Sequence, residues 1–249
     1  MLKTIERTSQ MLNLFSPETP EWGITELAET LGWNTSTTHD LASSLSQIGF
    51  LRKSDKRRYK IGWRVLEMSQ VVLSSSNLQV EARKVMEQFT TKYDETILLG
   101  VLAGGKILFA ERIVAKHFLD NNFPTPEGRY SAHCTAAGKV LIAHLSAENL
   151  QNLIDEHGLD PMTPKSIQSI EQLHDDLERI RVQGHAYQFE ESVLGLGSVA
   201  APIYDYSGKV VASLTITAPI QQFERQIDDY RSAILRMTKQ VSKRLGHMV

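Results

Sequence analysis

The chain has 249 residues, 41% hydrophobic and 22% charged, with a formal net charge of −2. That is the make-up of an ordinary globular protein, which excludes disordered, fibrous and disulfide-scaffold classes. No run approaches the ~18 consecutive apolar residues of a membrane span, and MLKTIERTSQML carries charges inside its apolar pattern, unlike a secretory signal. The single cysteine, Cys134, allows no internal disulfide and suits a reducing, cytoplasmic setting.

In chain order, the spacing predicts a helix over residues 3–15, ended by Pro17 and Pro20. A second helix opens near Ile24-Thr25, with Thr25 as its expected N-cap, and stops at Gly32, which suits a tight turn. A third, capped by Thr35 or Ser36, carries Leu41, Leu45 and Ile48 inward. Its other face shows small hydrogen-bonding groups: Thr35, Ser36, Thr37, Thr38, His39 and Ser43 are expected to approach base edges and phosphates. Residues 50–53 and 58–61 read as two short strands around the polar turn 54–57. Helix, turn, helix and basic hairpin together make a winged helix-turn-helix.

Charge sharpens this reading. Residues 1–49 hold two basic residues, Lys3 and Arg7, against six acidic ones. Residues 50–64 hold seven basic residues against Asp55 alone, a net of six positive charges. Such density serves phosphate binding by counterion release, with Lys56, Arg57 and Arg58 as the expected contacts. The recognition face has no Arg or Lys and carries Asp40, so contacts to thymine methyls, adenine and phosphate are expected there rather than arginine-to-guanine readout.

A helix over 63–73 follows, serving as linker and dimerisation surface or as a cover for the winged core. From residue 77 the pattern changes. A helix over 78–93 leads into strands at 96–102 and 107–114 around Gly104-Gly105. Later strands are expected at 185–191, 198–204 and 210–217, with helices at 135–145, 167–183 and 221–245. Hairpins mixed with flanking helices make an α+β sheet domain, so the division is 1–76 and 77–249.

Enzymatic signals are weak. His133-Cys134 precedes a helix start, where a thiolate could be stabilised, but neighbours in an extended segment point to opposite faces. Cys134 therefore reads as a buried small residue and the chain as a non-enzyme. The eight histidines are scattered, so no metal is expected. Leu194-Gly195-Leu196-Gly197 lacks the spacing of a dinucleotide site, and no cofactor is expected.

Across nearly its whole length the chain resembles the IclR family of bacterial transcription regulators. The resemblance rests on STTHDLASSLSQIGFL, RYKIGWRVLEMS, HCTAAGKVLIAHL and GSVAAPIYDYSGKVVASLTITAP. It implies an N-terminal winged helix-turn-helix plus a C-terminal GAF-like effector-binding domain. It also implies a homodimer or dimer of dimers on double-stranded operator DNA, controlled by a small carboxylic or aromatic acid. The ligand would sit at the start of the AAGK helix, where Ala136 and Ala137 offer backbone N–H groups, an arrangement that favours anions. Gln188, Ser198, Thr215 and Thr217 would be the other pocket positions. Family members that bind small oxo-acids tend to have Asp in place of Gln188 and Cys in place of Ser198, so a different acid is expected. The competing reading is a small-molecule-binding or catalytic domain with a protein-interaction winged module, which the basic hairpin disfavours.

Overall fold

Gly32, at φ 66°, ends one short helix in a left-handed turn that leads into the next. In the computed structural model, which describes residues 2–55, 57–75, 77–114 and 130–248, that turn lies in the first of two compact units, Met1–Ser76 and Asn77–Val249.

In the first unit α1 (Lys3–Leu12), α2 (Ile24–Leu31) and α3 (Thr35–Gln47) precede a hairpin of β1 (Leu51–Lys53) and β2 (Tyr59–Ile61). Met11, Phe15, Leu27, Ala42, Leu45, Leu51 and Tyr59 form their common core. Trp22 bridges to Tyr59, adding an extended segment beside the hairpin. Helix α4 (Trp63–Ser75) follows.

The caps differ from the sequence expectation by one or two residues. Gly23, not Thr25, is the N-cap of α2, and the Glu26 carboxylate accepts its N–H at 3.1 Å. Asn34, not Thr35 or Ser36, caps α3, its Oδ1 accepting from Thr37 N at 2.7 Å. An asparagine can leave the helical backbone while its short side chain reaches the third amide, so it competes well with Thr and Ser for this position.

In the second unit α5 (Asn77–Tyr93) leads to an antiparallel sheet of order β5-β4-β3-β8-β7-β6. Its strands are β3 (Thr96–Ala103), β4 (Lys106–Ile113), β5 (Tyr130–Ser131), β6 (Ala186–Phe189), β7 (Leu196–Tyr204) and β8 (Val210–Pro219). Alternation divides each strand between two faces. Ile97, Leu99, Val199, Ala201, Leu214 and Ile216 face α5, α9 (Ile220–Arg225) and α10 (Ile227–Arg244). Leu98, Ile107, Phe109, Ala186 and Ala200 face α6 (Ala136–Ala143), α7 (Ala147–His157) and α8 (Ile170–Gln183).

Two sequence expectations need correction here. The C-terminal helix expected over 221–245 is two helices, broken at Gln226, whose φ −115° and ψ 18° are not helical. Helix α7, which carries Leu150 and Ile154 into the core, was not foreseen; its eleven residues hold only a short apolar pattern among seven polar or charged side chains. The long α10 lies on the sheet, burying Tyr230, Ala233, Ile234, Met237 and Val241.

Candidate DNA interface and effector site

Helix α3 exposes Thr35, Ser36 and His39 and half-exposes Thr37 and Ser43. The Asp40 carboxylate lies on the same exposed side, 3.7 Å from His39 Nδ1. Thr38 must be removed from the recognition set. It is 0% exposed, and its hydroxyl donates to the Asn34 carbonyl at 3.0 Å, because its position on the helix faces Ala42 and the core.

The hairpin spends much of its charge internally. Arg58 forks onto Glu26, Nη1 to Oε1 at 2.7 Å, and donates through Nη2 to the Glu21 carbonyl at 3.0 Å. Lys60 pairs with the Glu21 carboxylate. Arg52 lies over the Trp63 ring at 5.1 Å and Lys53 over Tyr59 at 5.5 Å. Arg57, held at φ 57° in the turn, is exposed. Among the described residues it is the turn's free cation; Lys56 lies outside them. The acidic excess of residues 1–49 is thus partly the counter-charge of the wing.

Helix α6 starts behind a single 3₁₀ turn, Ala132–Cys134. The Thr135 hydroxyl caps it, accepting from Gly138 N at 2.9 Å, which leaves the N–H groups of Ala136 and Ala137 outside the intrahelical ladder. Gly138 lets the helix seat against that turn; a Cβ there would come within 2.2 Å of the Ala132 carbonyl oxygen. The same end of α6 rests on the sheet, since Ser213 Oγ donates to the Ala137 carbonyl at 3.4 Å.

Strand register assembles the remaining positions. Thr96 pairs with Thr217, Thr217 with Ser198, and Ser198 with Gln188. A polar row therefore crosses β3, β8, β7 and β6 on the face that carries α6. Its members are buried: Thr96 1%, Thr217 1%, Ser198 4% and Gln188 1% exposed. Ser198 Oγ lies 2.9 Å from Thr217 Oγ1, and Gln188 Nε2 donates to Ser198 Oγ at 3.0 Å. One step along β8, Thr215 Oγ1 is buried with no hydrogen-bond partner among the described residues. Thr96 escaped sequence reasoning, since its place in the row depends on strand pairing and no local motif marks it.

Lys139, also unnoticed in the sequence, is 2% exposed. Its ammonium lies 2.9 Å from Glu191 Oε1 and 2.9 Å from Asp176 Oδ2. Burial pushes the Glu191 carboxyl up, against the pull of Lys139. Cys134 is buried and burial raises its thiol, while burial lowers His133, so both are neutral. That pair sits in the 3₁₀ turn rather than in an extended segment, and neither member is charged for nucleophilic work. Among the described residues no group of three or more His, Cys, Asp or Glu could hold a metal ion, and no helix is long and apolar enough to cross a membrane.

Residues 4–55 match the IclR helix-turn-helix domain and residues 70–243 the C-terminal domain of the bacterial transcriptional regulator IclR. The chain is 26% identical to the HTH-type transcriptional regulator XynR of Escherichia coli over 99% of this chain and 98% of that protein. It is also 26% identical to the Transcriptional repressor IclR of Escherichia coli, over 99% and 91%. The fold is shared with a putative IclR transcriptional regulator from Silicibacter sp. TM1040, at TM-score 0.88, 20% identity and 98% and 97% coverage. It is shared too with an IclR homolog from Microbacterium hydrocarbonoxydans complexed with 4-hydroxybenzoate, at TM-score 0.79, 20% identity and 98% and 99% coverage. The chain therefore belongs to the IclR family of bacterial transcriptional regulators, with a DNA-binding helix-turn-helix followed by a GAF-like effector-binding domain.

Proposed function

We propose that this regulator binds its operator as a homodimer or dimer of dimers, and that a small organic acid sets its affinity for DNA. The observation that carries the effector reading is Thr215, on the sheet face that carries α6, whose buried hydroxyl has no hydrogen-bond partner among the described residues. A buried hydroxyl costs free energy unless something bonds to it, and a ligand oxygen supplies that bond. Ala136 and Ala137 add two amide donors with the helix dipole behind them. A group that only accepts hydrogen bonds, a carboxylate, satisfies all three. Solved with 4-hydroxybenzoate, the Microbacterium homolog supports an acid of this size class.

On the DNA side Thr35, Ser36, Thr37, His39 and Ser43 are the proposed contacts of α3, with Arg57 the phosphate contact of the wing. Trp63, Leu66, Met68 and Val71 are exposed along α4, a surface suited to self-association.

A thermal-shift screen of monocarboxylates, 4-hydroxybenzoate among them, against their uncharged amides tests the effector reading. Acids should raise the melting temperature and amides should not, because only a ligand of the native state stabilises it by mass action. Equal shifts from acid and amide, or none from any acid, would reject it.

A further inference from the structure

Gln188 looks like a ligand-binding residue, yet both ends of its amide are engaged within the protein. The backbone N–H of Glu191 donates to Gln188 Oε1 at 2.8 Å. A backbone amide is an unambiguous donor, so the side-chain oxygen must face it. That leaves Nε2 to donate to Ser198 Oγ at 3.0 Å and to the Leu196 carbonyl at 3.3 Å. Having accepted this bond, the Ser198 hydroxyl is polarised to donate to Thr217 Oγ1, 2.9 Å away. The direction of the chain from Gln188 through Ser198 to Thr217 is therefore set at Glu191, outside the row.

Glu191 in turn is held from two sides. The Ser166 hydroxyl donates to its carbonyl at 2.6 Å, and Thr163 Oγ1 donates to the neighbouring Glu190 carbonyl at 2.7 Å, tying the turn to the segment before α8. Its side chain reaches the other way, taking both oxygens to Lys139 Nζ at 2.9 and 3.0 Å. Lys139 stands on α6, one turn beyond Ala136 and Ala137. It is the ionic tie between the helix that offers amide donors and the turn that orients the hydroxyl row. Asp176 on α8 bonds the same ammonium at 2.9 Å and is itself bonded by Arg179 at 3.1 Å.

We propose that Lys139 is a positioning residue of the effector site, fixing the Gln188–Glu191 turn against α6 and so the direction in which the polar row donates. This rests on the effector reading above. Spending a buried ammonium and a buried carboxylate on a tie that an apolar pair could replace at little cost points to orientation as its purpose.

Hydrogen exchange on the full-length, 15N-labelled protein tests it. In Lys139→Met the Glu191 N–H and the Gln188 side-chain amide should lose at least ~10-fold in protection, while Leu214 and Ile216 of β8 keep theirs. Glu191→Gln, whose amide oxygen still accepts from Lys139, should keep the protection. Should Lys139→Met fold poorly, Lys139→Met with Glu191→Gln removes both charges, leaves Asp176 to Arg179, and should show the same local loss. Unchanged protection in these variants, or a loss spread evenly through β6, β7 and β8, would overturn the proposal. A parallel titration with 4-hydroxybenzoate separates the two readings. Binding weakened by Thr215→Val but not by Lys139→Met would sink the positioning role and leave the effector site standing. Binding indifferent to both would reject the effector site, and the exchange data would still judge the hold of Lys139 on the turn.

Discussion

Arg58 and Glu26 stand 32 residues apart in sequence, and the guanidinium of one forks onto the carboxylate of the other with Nη1 2.7 Å from Oε1. Glu26 also accepts from the N–H of Gly23, so a single carboxylate caps α2 and secures the wing. Each partner holds the other in its charged form: Arg58 lowers the Glu26 carboxyl, and Glu26 raises the guanidinium.

This divides the labour of the two wing arginines. Arg57→Ala should weaken DNA binding almost equally for operator and unrelated duplex, and should reduce the salt slope of log K by about 0.9, one phosphate's worth. Arg58→Ala should change the slope less and lower the melting temperature of the DNA-binding domain more. Gel shifts at several salt concentrations beside thermal denaturation check the pair; equal slopes for both variants would contradict the assignment.

Thr215→Val should act in opposite directions on stability and response. Removing an unpaired buried hydroxyl without changing shape should stabilise the ligand-free protein by up to about 1 kcal/mol. The same change should cut the melting-temperature rise produced by a carboxylate ligand. Denaturant unfolding with and without 4-hydroxybenzoate checks both signs.

Glu95 opens a pH test. It is 2% exposed, precedes Thr96 in the chain and accepts from Tyr230 Oη and Gln222 Nε2. Burial raises its carboxyl above the ordinary 4.5, so the stability linked to its protonated form is complete below that pH and is lost as pH rises through the folded-state value. Glu95→Gln keeps the accepting oxygen and removes the ionisation. Its melting temperature should match wild type near pH 4 and exceed it at pH 8; a constant difference across that range would refute the assignment.

Asn34→Ala removes the side-chain cap of α3. The expected cost is about 1 kcal/mol, typical of a lost N-cap, and it should fall on the first unit. Asn34→Ser should recover most of it, since a serine hydroxyl serves the same amide. Circular dichroism melts of the three proteins measure this.

Much of the architecture was legible in the sequence because the signals are local. Leu41 and Leu45 recur at helical spacing, Gly32 fits a left-handed turn, and Thr215 and Thr217 alternate on one strand, whereas Ile48, expected inward, is the exposed residue that ends α3. The AAGK segment likewise marked the helix whose start faces the sheet. Each of these depends on residues a few positions apart, where periodicity and turn chemistry act directly on the backbone.

What only the tertiary structure decided depends on contacts distant in sequence. Strand register, not composition, put Thr96, Thr217, Ser198 and Gln188 in one row. Folding brought Glu26 to Arg58 and so gave an internal partner to a cation that the sequence offered to DNA. It also buried Lys139 against Glu191, 52 residues away. A charge written in a sequence is only potential; its partner, chosen by packing, determines whether it meets a ligand or another side chain.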